Sequence, residues 1–186
     1  MSTNLTETSK YMSMLLRHAP EKGNITVDTQ GYTDVNSLLK ALNIDKPTLD
    51  KIVASDNKKR YSYNEDGTRI RANQGHSLSY VQIDFKEYTP NGHIYHGTAK
   101  KFYNGIMKQG LISQSRNYVH LSKDLDTAIN VGMRHAKSKI NLVVFEIDYK
   151  SMIRDGYKFY ISENGVVLTE KVPKKYLKQV NVWKIK

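Results

Sequence analysis

The sequence contains no cysteine, one tryptophan and only four prolines in 186 residues. Without cysteine there are no disulfide bonds, no thiolate nucleophiles and no zinc sites built on cysteine. No apolar run approaches the roughly 18 residues that a membrane-spanning helix needs. The first residues carry neither the basic segment nor the apolar segment of a secretory signal. We therefore expect a soluble, cytoplasmic protein with no membrane partner.

Acidic residues are scarce in the second half of the chain. The whole sequence has 29 Lys and Arg against 18 Asp and Glu, a formal net charge of +11. Residues 91–186 hold 17 of those cations and 7 of those acids. The six lysines within 171–186 are typical of a solvated tail. The excess positive charge favours an anionic partner, nucleic acid above all.

Apolar spacing, capping residues and turns predict the elements of the first half. They indicate a helix over Thr6–Leu16, a short strand over Ile25–Val27, helices capped by Asp34 and Thr48, and a hairpin over 60–72. Three short helices followed by a hairpin are the outline of a winged-helix-like lobe.

Residues 86–92 include Pro90, Asn91 and Gly92, which favour a domain boundary and define domains 1–89 and 90–186. The second domain alternates short strands with helices. We expect strands over 94–98, 118–121, 141–148, 158–161, 166–169 and 181–185, and helices over 100–109 and 124–136. The chain as a whole is therefore expected to be α+β.

The candidate residues of the first half are mostly arginines and hydrogen-bond donors. Arg17 and His18 end the first predicted helix, where a cation can simply complement the helix dipole. Alternation along a strand puts Arg69 and Arg71 on one face. The polar residues that follow them are hard to bury without partners, and they favour an anion site: Asn73, Gln74, His76 and Ser77.

The second half offers two strand ends with polar residues. Gly97 permits close backbone approach, and His96 and Thr98 beside it offer directional hydrogen bonds. His120 lies on a strand that ends at Ser122, with Arg116 just upstream. Considered alone, His120 is by default a core histidine whose ring is satisfied by the backbone. Arg134 lies late in a predicted helix.

Several other chemistries lack their residues in this sequence. His93 and His96 have no nearby carboxylate to complete a metal set, so no metal site is predicted. The second half has no carboxylate pair of the glycosidase kind. There is no phosphate-binding P-loop, no dinucleotide glycine fingerprint and no nucleophile elbow.

Taken in order, the motifs resemble those of the KptA-type RNA 2′-phosphotransferases. The matching runs lie between about residue 10 and about residue 180: Ser13-Met-Leu-Leu-Arg-His18, Arg71-Ala-Asn-Gln-Gly-His-Ser77, Tyr95-His-Gly-Thr98, Tyr118-Val-His-Leu-Ser122, Gly132-Met-Arg134 and Ser162-Glu-Asn-Gly-Val166.

The resemblance implies a winged-helix-like RNA-binding lobe joined to an ADP-ribosyltransferase-like lobe with antiparallel-rich sheets that binds NAD⁺. Such enzymes remove an internal RNA 2′-phosphate, as in tRNA splicing. The phosphate attacks C1″ of NAD⁺ and expels nicotinamide, which leaves an ADP-ribosylated RNA. The ribose O2″ then attacks phosphorus and releases 2′-hydroxyl RNA and ADP-ribose 1″,2″-cyclic phosphate.

The resemblance also assigns roles to residues of this chain. The catalytic set is Arg17, His18, Arg71 and, by motif order, Arg134 rather than Arg116. The NAD⁺ site is expected to be lined by His96, Gly97, Thr98, His120, Leu121 and Ser122. Contacts to the RNA are expected from Arg69, Asn73, Gln74, His76, Ser77 and Arg116. We expect the enzyme to act as a monomer.

The sequence leaves two alternatives open. One is an ADP-ribosyltransferase that modifies terminal phosphates of nucleic acids and stops after the first step. The other is an RNA-binding protein without catalytic activity. The residues themselves favour phosphate chemistry, because guanidinium groups neutralise a crowded phosphate without a metal and His18 can exchange a proton near neutral pH.

Overall fold

The computed structural model describes residues 4–182, which form two compact units. One unit runs to Asp84 and also holds Ser115–Asn117, and the other holds Phe85–Gln114 and the described residues from Tyr118 on. The expected boundary after residue 89 lies near this division. Helices combine with antiparallel sheets in both units, which confirms the α+β class. Within residues 4–182, no helix is both long and apolar enough to cross a membrane.

The first unit contains three α-helices, a short 3₁₀ helix and one small sheet. Its elements are α1 (Leu5–Arg17), the 3₁₀ helix Pro20–Gly23, β1 (Tyr32–Asp34), α2 (Val35–Leu42), α3 (Lys46–Ala54), β2 (Tyr61–Tyr63) and β3 (Arg69–Ala72). The sheet has the order β1-β3-β2, and β2 and β3 form the predicted hairpin.

Capping and burial explain where the helices of the first unit begin and how they pack. The side chain of Asp34 accepts a hydrogen bond from the Ser37 amide at the start of α2, as predicted. The start of α3 was predicted wrongly, because Asp45 caps it and Thr48 lies in its first turn. Burying each apolar side chain of the core stabilises the unit by roughly 1.5–3 kcal/mol. That core includes Met12, Leu15, Leu16, Leu38, Leu49 and Ile70.

The strand predicted over Ile25–Val27 does not form. Ile25 and Val27 are both buried, but the segment is irregular and belongs to no described sheet. The strand of this region, β1, begins at Tyr32 and pairs antiparallel with β3, with Tyr32 opposite Arg71. The alternation of Ile25 and Val27 therefore reflects burial alone.

The described part of the second unit contains three α-helices, three short 3₁₀ helices and nine strands. Its helices are α4 (Tyr103–Gln109), α5 (Leu125–Ala136) and α6 (Tyr149–Arg154), with 3₁₀ turns at Lys100–Phe102, Lys139–Asn141 and Lys174–Tyr176. Its strands are β4 (Lys86–Glu87), β5 (Tyr95–Ala99), β6 (Leu111–Ile112), β7 (Val119–Leu121), β8 (Leu142–Ile147), β9 (Tyr160–Ile161), β10 (Val167–Thr169), β11 (Lys171–Val172) and β12 (Leu177–Val180).

Three antiparallel sheets organise the second unit. Their strand orders are β4-β9-β10-β7, β12-β8-β5 and β11-β6. The predicted hairpin around Ser162–Gly165 is confirmed by the pairing of β9 with β10. The last strand ends at Val180, so Asn181 and Val182 lie beyond it, and 183–185 of the predicted strand lie outside the described residues.

Candidate functional site

Arg17 lies at the C-terminal end of α1 and is held there from two sides. Its Nη1 donates a hydrogen bond to the Ser13 hydroxyl one turn earlier, at 2.9 Å. Gly75 packs against the same side chain, since a Cβ built on it would be 3.6 Å from Arg17 Nε. Gly75 has φ of +91°, a conformation that glycine adopts without strain. The guanidinium therefore has a fixed orientation.

One edge of the Arg17 guanidinium is buried without an acceptor. Nε and Nη2 find no hydrogen-bond partner among residues 4–182. These two nitrogens form the side edge of the guanidinium, whose parallel N–H groups match the two oxygens of a carboxylate or phosphate. Burial lowers the pKa of Arg17, and the nearby Arg116 and Arg60 lower it further, although an arginine stays protonated. A buried, unpaired pair of donors is costly unless an anion accepts from it.

His18 caps α1 and is linked to the loop that follows β3. Its Nδ1 lies 2.9 Å from the Ser77 hydroxyl, whose oxygen lies 3.4 Å from the carbonyl oxygen of Arg17. When His18 is protonated, Nδ1–H donates to Ser77 and leaves Nε2–H for a ligand. Burial lowers the pKa of His18, with further contributions from Arg17 and Arg116. The imidazole therefore gives up a proton more easily than usual.

His76 is buried beside these cations. Its Nε2 packs against Gly31, where a Cβ would come within 3.0 Å, and has no hydrogen-bond partner among the described residues. Burial and the charges of Arg17, His18 and Arg71 lower the pKa of His76 to about 4. The Asn117 amide donates to the His76 carbonyl oxygen at 3.1 Å. His76 is therefore a neutral group within a cationic cluster.

Arg71 and Arg69 lie on the same face of β3, as predicted, and both lie over the ring of Tyr32. The Cζ of Arg71 is 4.7 Å from the ring centroid and that of Arg69 is 5.2 Å from it. Arg71 Nη1 also donates to the Gln30 carbonyl oxygen at 3.3 Å. Arg69 is exposed and pairs with Asp28 at 3.0 Å. Tyr32 therefore orients Arg71, while the ion pair of Arg69 with Asp28 connects β3 to the segment before β1.

The remaining candidates of the first unit divide by burial. Asn73 is buried. Its side-chain amide is used within the hairpin region, since Nδ2 donates to the Lys59 carbonyl oxygen and Oδ1 accepts from the Ser62 hydroxyl. Gln74 is partly exposed in the same loop. Arg116 is exposed and belongs to the first unit, near enough to Arg17 and His18 to affect the pKa of both.

In the second unit, β5 and β7 bring the two histidines of the expected NAD⁺ site together. His96 Nδ1 donates to the His120 carbonyl oxygen at 3.1 Å, and His120 Nδ1 donates to that of Tyr118 at 3.0 Å. Because a carbonyl oxygen can only accept, Nδ1 of His96 carries a proton, and Nε2 of the neutral ring is an acceptor. Burial lowers the pKa of His96, and His135 acts in the same direction. His96 is neutral at physiological pH.

Three residues expected to contact NAD⁺ are buried in the interior of the second unit. Gly97, Thr98 and Leu121 are each largely inaccessible. A Cβ on Gly97 would lie 1.8 Å from the carbonyl oxygen of Ala128 in α5. The close backbone approach that Gly97 permits is therefore that of α5 to β5. Ser122 is half-buried, and its backbone pairs with that of Tyr95 at 2.8 Å.

Arg134 lies in the last turn of α5 and is exposed. It belongs to the second unit, whereas Arg17, His18, Arg71, His76 and Arg116 belong to the first.

The structure thus groups five predicted residues of the first unit and joins two of the second, His96 and His120: the first five are Arg17, His18, Arg71, His76 and Arg116. It also shows partners that sequence patterns do not predict. Tyr32, Gln30, Ser13 and Asn117 orient the predicted residues, although no role was assigned to them from sequence. Ser13 could have been found from its position one helical turn before Arg17. Tyr32 could not, because its contact depends on the pairing of β1 with β3.

Comparisons with known proteins agree on one family. A family model described as "RNA 2'-phosphotransferase, Tpt1 / KptA family" matches residues 3–171. A "Probable RNA 2'-phosphotransferase" of Flavobacterium johnsoniae is 45% identical over 183 residues, which cover 95% of this chain and 98% of the relative. Proteins with the same name are 44% identical over 91% of the chain in Fusobacterium nucleatum and over 93% in an Escherichia coli K12 strain, and both alignments span 95% of the relative.

Proposed function

Because the chain belongs to the Tpt1/KptA family of RNA 2′-phosphotransferases, we propose that it transfers an internal RNA 2′-phosphate to NAD⁺. The products are 2′-hydroxyl RNA, nicotinamide and ADP-ribose 1″,2″-cyclic phosphate. NAD⁺, when bound, supplies the ribose that accepts the phosphate and the nicotinamide that leaves. The residues of the chain hold the phosphate, orient it and move the protons.

The observation that carries this proposal is the unpaired edge of Arg17. Nε and Nη2 are buried, point in parallel and have no acceptor among the described residues. Two oxygens of a phosphate satisfy both donors in charge-assisted hydrogen bonds. Such a fork, held by Ser13 and Gly75, stabilises the negative charge of a phosphate without a metal.

The neighbouring residues complete the phosphate site. Arg71, oriented by Tyr32, supplies a second guanidinium. His18 contacts the phosphate through Nε2 and exchanges a proton there, while Ser77 accepts from Nδ1. Because His76 is neutral, it adds no further buried positive charge beside the three cations Arg17, Arg71 and Arg116.

The second unit offers a hydrogen-bond acceptor to the ribose hydroxyls of a nucleotide. The Nε2 atom of His96 is an acceptor for a hydroxyl or amide proton, because a carbonyl oxygen holds Nδ1 of this neutral ring. We assign His96, His120 and Ser122 to direct contact with NAD⁺. Gly97, Thr98 and Leu121 act by shaping the strands beneath these residues, since they are buried.

The proposal extends to the two lobes and to the fourth arginine. The three helices and the sheet β1-β3-β2 support the assignment of the first unit as a winged-helix-like lobe that binds the RNA. The antiparallel sheets of the second unit support an ADP-ribosyltransferase-like lobe. Arg134 supplies the fourth catalytic guanidinium, and single-turnover rates of Arg134→Ala and Arg116→Ala test this choice. A larger loss in Arg116→Ala would reverse it.

The function is tested with a short 2′-phosphorylated oligoribonucleotide, incubated with and without NAD⁺ and followed by mass spectrometry. We expect 2′-hydroxyl RNA and ADP-ribose 1″,2″-cyclic phosphate only when NAD⁺ is present, in the presence of a metal chelator. A stable ADP-ribosyl cap on a 5′-phosphorylated strand, without the second step, would favour a terminal-phosphate ADP-ribosyltransferase instead. RNA binding without turnover or NAD⁺ binding would favour an RNA-binding protein.

A further inference from the structure

A groove with both polar and apolar lining residues runs along α1 on the first unit, beside the residues assigned to the reaction. We call it the α1 groove. It has a volume of about 460 Å³, and its lining residues come from α1, the end of α3 and the start of β2: Leu5, Thr6, Ser9, Lys10, Ser13, Ile52, Ser55, Asp56, Arg60 and Tyr61. Of these residues, only Ser13 takes part in the reaction proposed above, where it holds the guanidinium of Arg17.

The α1 groove leads to the Arg17 guanidinium. Lys10, Ser13 and Arg17 follow one another at three- and four-residue intervals, so they share one face of α1. Ser13 joins the two features directly, because its hydroxyl lines the groove and accepts from Arg17 Nη1. The axial distance from Lys10 to Arg17 is about 10 Å, which corresponds to about three stacked nucleotides of one strand.

The charge of the α1 groove is positive. Asp56 has a side chain that is 5% exposed, and its two carboxylate oxygens accept from the Arg60 guanidinium and the Arg60 amide. Its charge is therefore compensated within the wall of the groove. Lys10 is exposed and forms no ion pair with any residue in 4–182. Lys10 can thus bind an incoming anion without breaking an existing pair.

Charged groups of the groove also act electrostatically on Arg17 of the phosphate site. The pKa of Arg17 is lowered mainly by burial, and the groups whose charges then act on it include Tyr61, Arg60 and Asp56 of the groove. Tyr61 is buried and its hydroxyl donates to the Ser9 carbonyl at 2.9 Å, so its ring offers no stacking surface to a base. The groove presents to a ligand the charge of Lys10 and several hydroxyl groups, together with the apolar side chains of Leu5 and Ile52.

We propose that the α1 groove binds the RNA strand that flanks the reactive nucleotide, with a backbone phosphodiester near Lys10 and Arg60. This inference rests on the proposed function, since it takes Arg17 as the site of the 2′-phosphate. Contacts through charge and hydroxyls, without an exposed aromatic ring, recognise the sugar-phosphate backbone and are independent of base sequence. The groove therefore favours longer RNA over short RNA, whatever its sequence.

The test compares Lys10→Gln with the wild-type protein. Glutamine keeps the helix propensity of lysine and removes the charge, and Lys10 is exposed, so the fold is preserved. Dissociation constants are measured by fluorescence anisotropy, across a salt series, for an unmodified single-stranded RNA that extends several nucleotides on each side of the site. We expect Lys10→Gln to weaken binding about threefold to fivefold and to reduce the salt slope by about 0.7.

A kinetic comparison on two substrates accompanies the binding measurement. The ratio of kcat/KM for a long 2′-phosphorylated RNA to that for a 2′-phosphorylated dinucleotide should fall by a similar factor in Lys10→Gln. Lys40→Gln removes an equal charge from the exposed surface of α2, and we expect it to change neither the salt slope nor this ratio.

The two proposals fail in different ways. If wild-type protein dephosphorylates neither the long RNA nor the dinucleotide, the proposed function fails, and RNA binding by Lys10→Gln still decides the role of the groove. If wild-type protein is active but Lys10→Gln binds RNA as Lys40→Gln does, the α1 groove does not hold RNA. Equal losses in both variants would indicate diffuse surface charge and would likewise overturn the inference.

Discussion

The ring of Tyr32 in β1 lies against the guanidinium of Arg71 in β3, with 4.7 Å between the ring centroid and Cζ. The two residues are direct partners in the antiparallel register. A cation over an aromatic face gains about 0.5–2 kcal/mol, depending on desolvation, and the contact also restricts the rotamers of a long side chain. Tyr32 therefore orients Arg71, and under the proposed function it is a positioning residue that acts on the phosphate through Arg71.

We predict that Tyr32→Leu lowers kcat/KM for a 2′-phosphorylated RNA about tenfold, because Arg71 loses its support and must be ordered by the substrate. Tyr32→Phe keeps the ring and should retain most of the activity. Steady-state kinetics of the three proteins measure this, with circular dichroism to compare their folds. Equal losses in the leucine and phenylalanine variants would contradict a role for the ring face.

Tyr63 offers a matched control within the same sheet. Its ring lies 4.6 Å from Lys46 Nζ, at nearly the distance found for Tyr32 and Arg71, but it is not part of the candidate site. Tyr63→Leu removes a comparable contact and the hydrogen bond from its hydroxyl to Asp50. We expect it to lower the free energy of unfolding with no loss of kcat beyond about twofold, which separates positioning from general stability.

The edge of Arg17 formed by Nε and Nη2 gives a second prediction. Arg17→Lys keeps the positive charge but cannot offer two parallel N–H donors to one phosphate. We expect kcat/KM to fall about 100-fold, corresponding to about 3 kcal/mol of lost charge-assisted hydrogen bonding. Arg154→Lys, at an exposed arginine of α6, is the control. Activity of Arg17→Lys within threefold of wild type would show that charge alone suffices.

The sequence predicts α1, α2 and α5 well because each has an apolar stripe and a clear capping residue or stop. It misses β4, β6 and β11, which are two residues long and exist only through pairing with distant strands. The error at α3 has a local cause. Pro47 in the first turn marks Asp45 as the cap, but Thr48 precedes the apolar residues more directly.

For the candidate site, the sequence predicts the candidate side chains but not the residues that orient them. Arg17, His18 and Arg71 occur in recognisable runs, so their grouping in the first unit follows from motif order. The stack of Tyr32 on Arg71 requires the register of two strands, and the buried state of His76 requires the packing of Gly31 against it. Both are tertiary effects, which local patterns do not encode.

The lowered pKa of His76 predicts how stability depends on pH. Burial in the cationic cluster lowers this pKa to about 4, so between pH 6.5 and 4 the unfolded chain binds a proton at His76 that the folded protein does not. The free energy of unfolding therefore falls as the pH drops through this window. His76 contributes a loss of about 2 kcal/mol at pH 5 relative to pH 7.5.

His76→Gln removes that contribution and keeps a polar side chain of similar reach. We expect its free energy of unfolding, measured by urea denaturation, to fall less steeply between pH 7.5 and pH 5 than that of the wild type. The difference between the two proteins isolates His76, because His18 and His96 remain in both. Parallel pH profiles would mean that the imidazole is protonated as readily in the folded protein as in the unfolded chain.

Gly97 gives the last prediction, because two explanations of this glycine lead to different results. A Cβ there would lie 1.8 Å from the Ala128 carbonyl oxygen, so Gly97→Ala must push α5 away from β5 and should lower the free energy of unfolding by about 3 kcal/mol. In Gly105 of α4 a Cβ meets nothing within 4 Å, so Gly105→Ala should raise it by about 0.5–1 kcal/mol. Urea denaturation and NAD⁺ binding by calorimetry measure both effects. If Gly97→Ala were as stable as the wild type and lost only NAD⁺ binding, the glycine would serve the ligand and not the contact with α5.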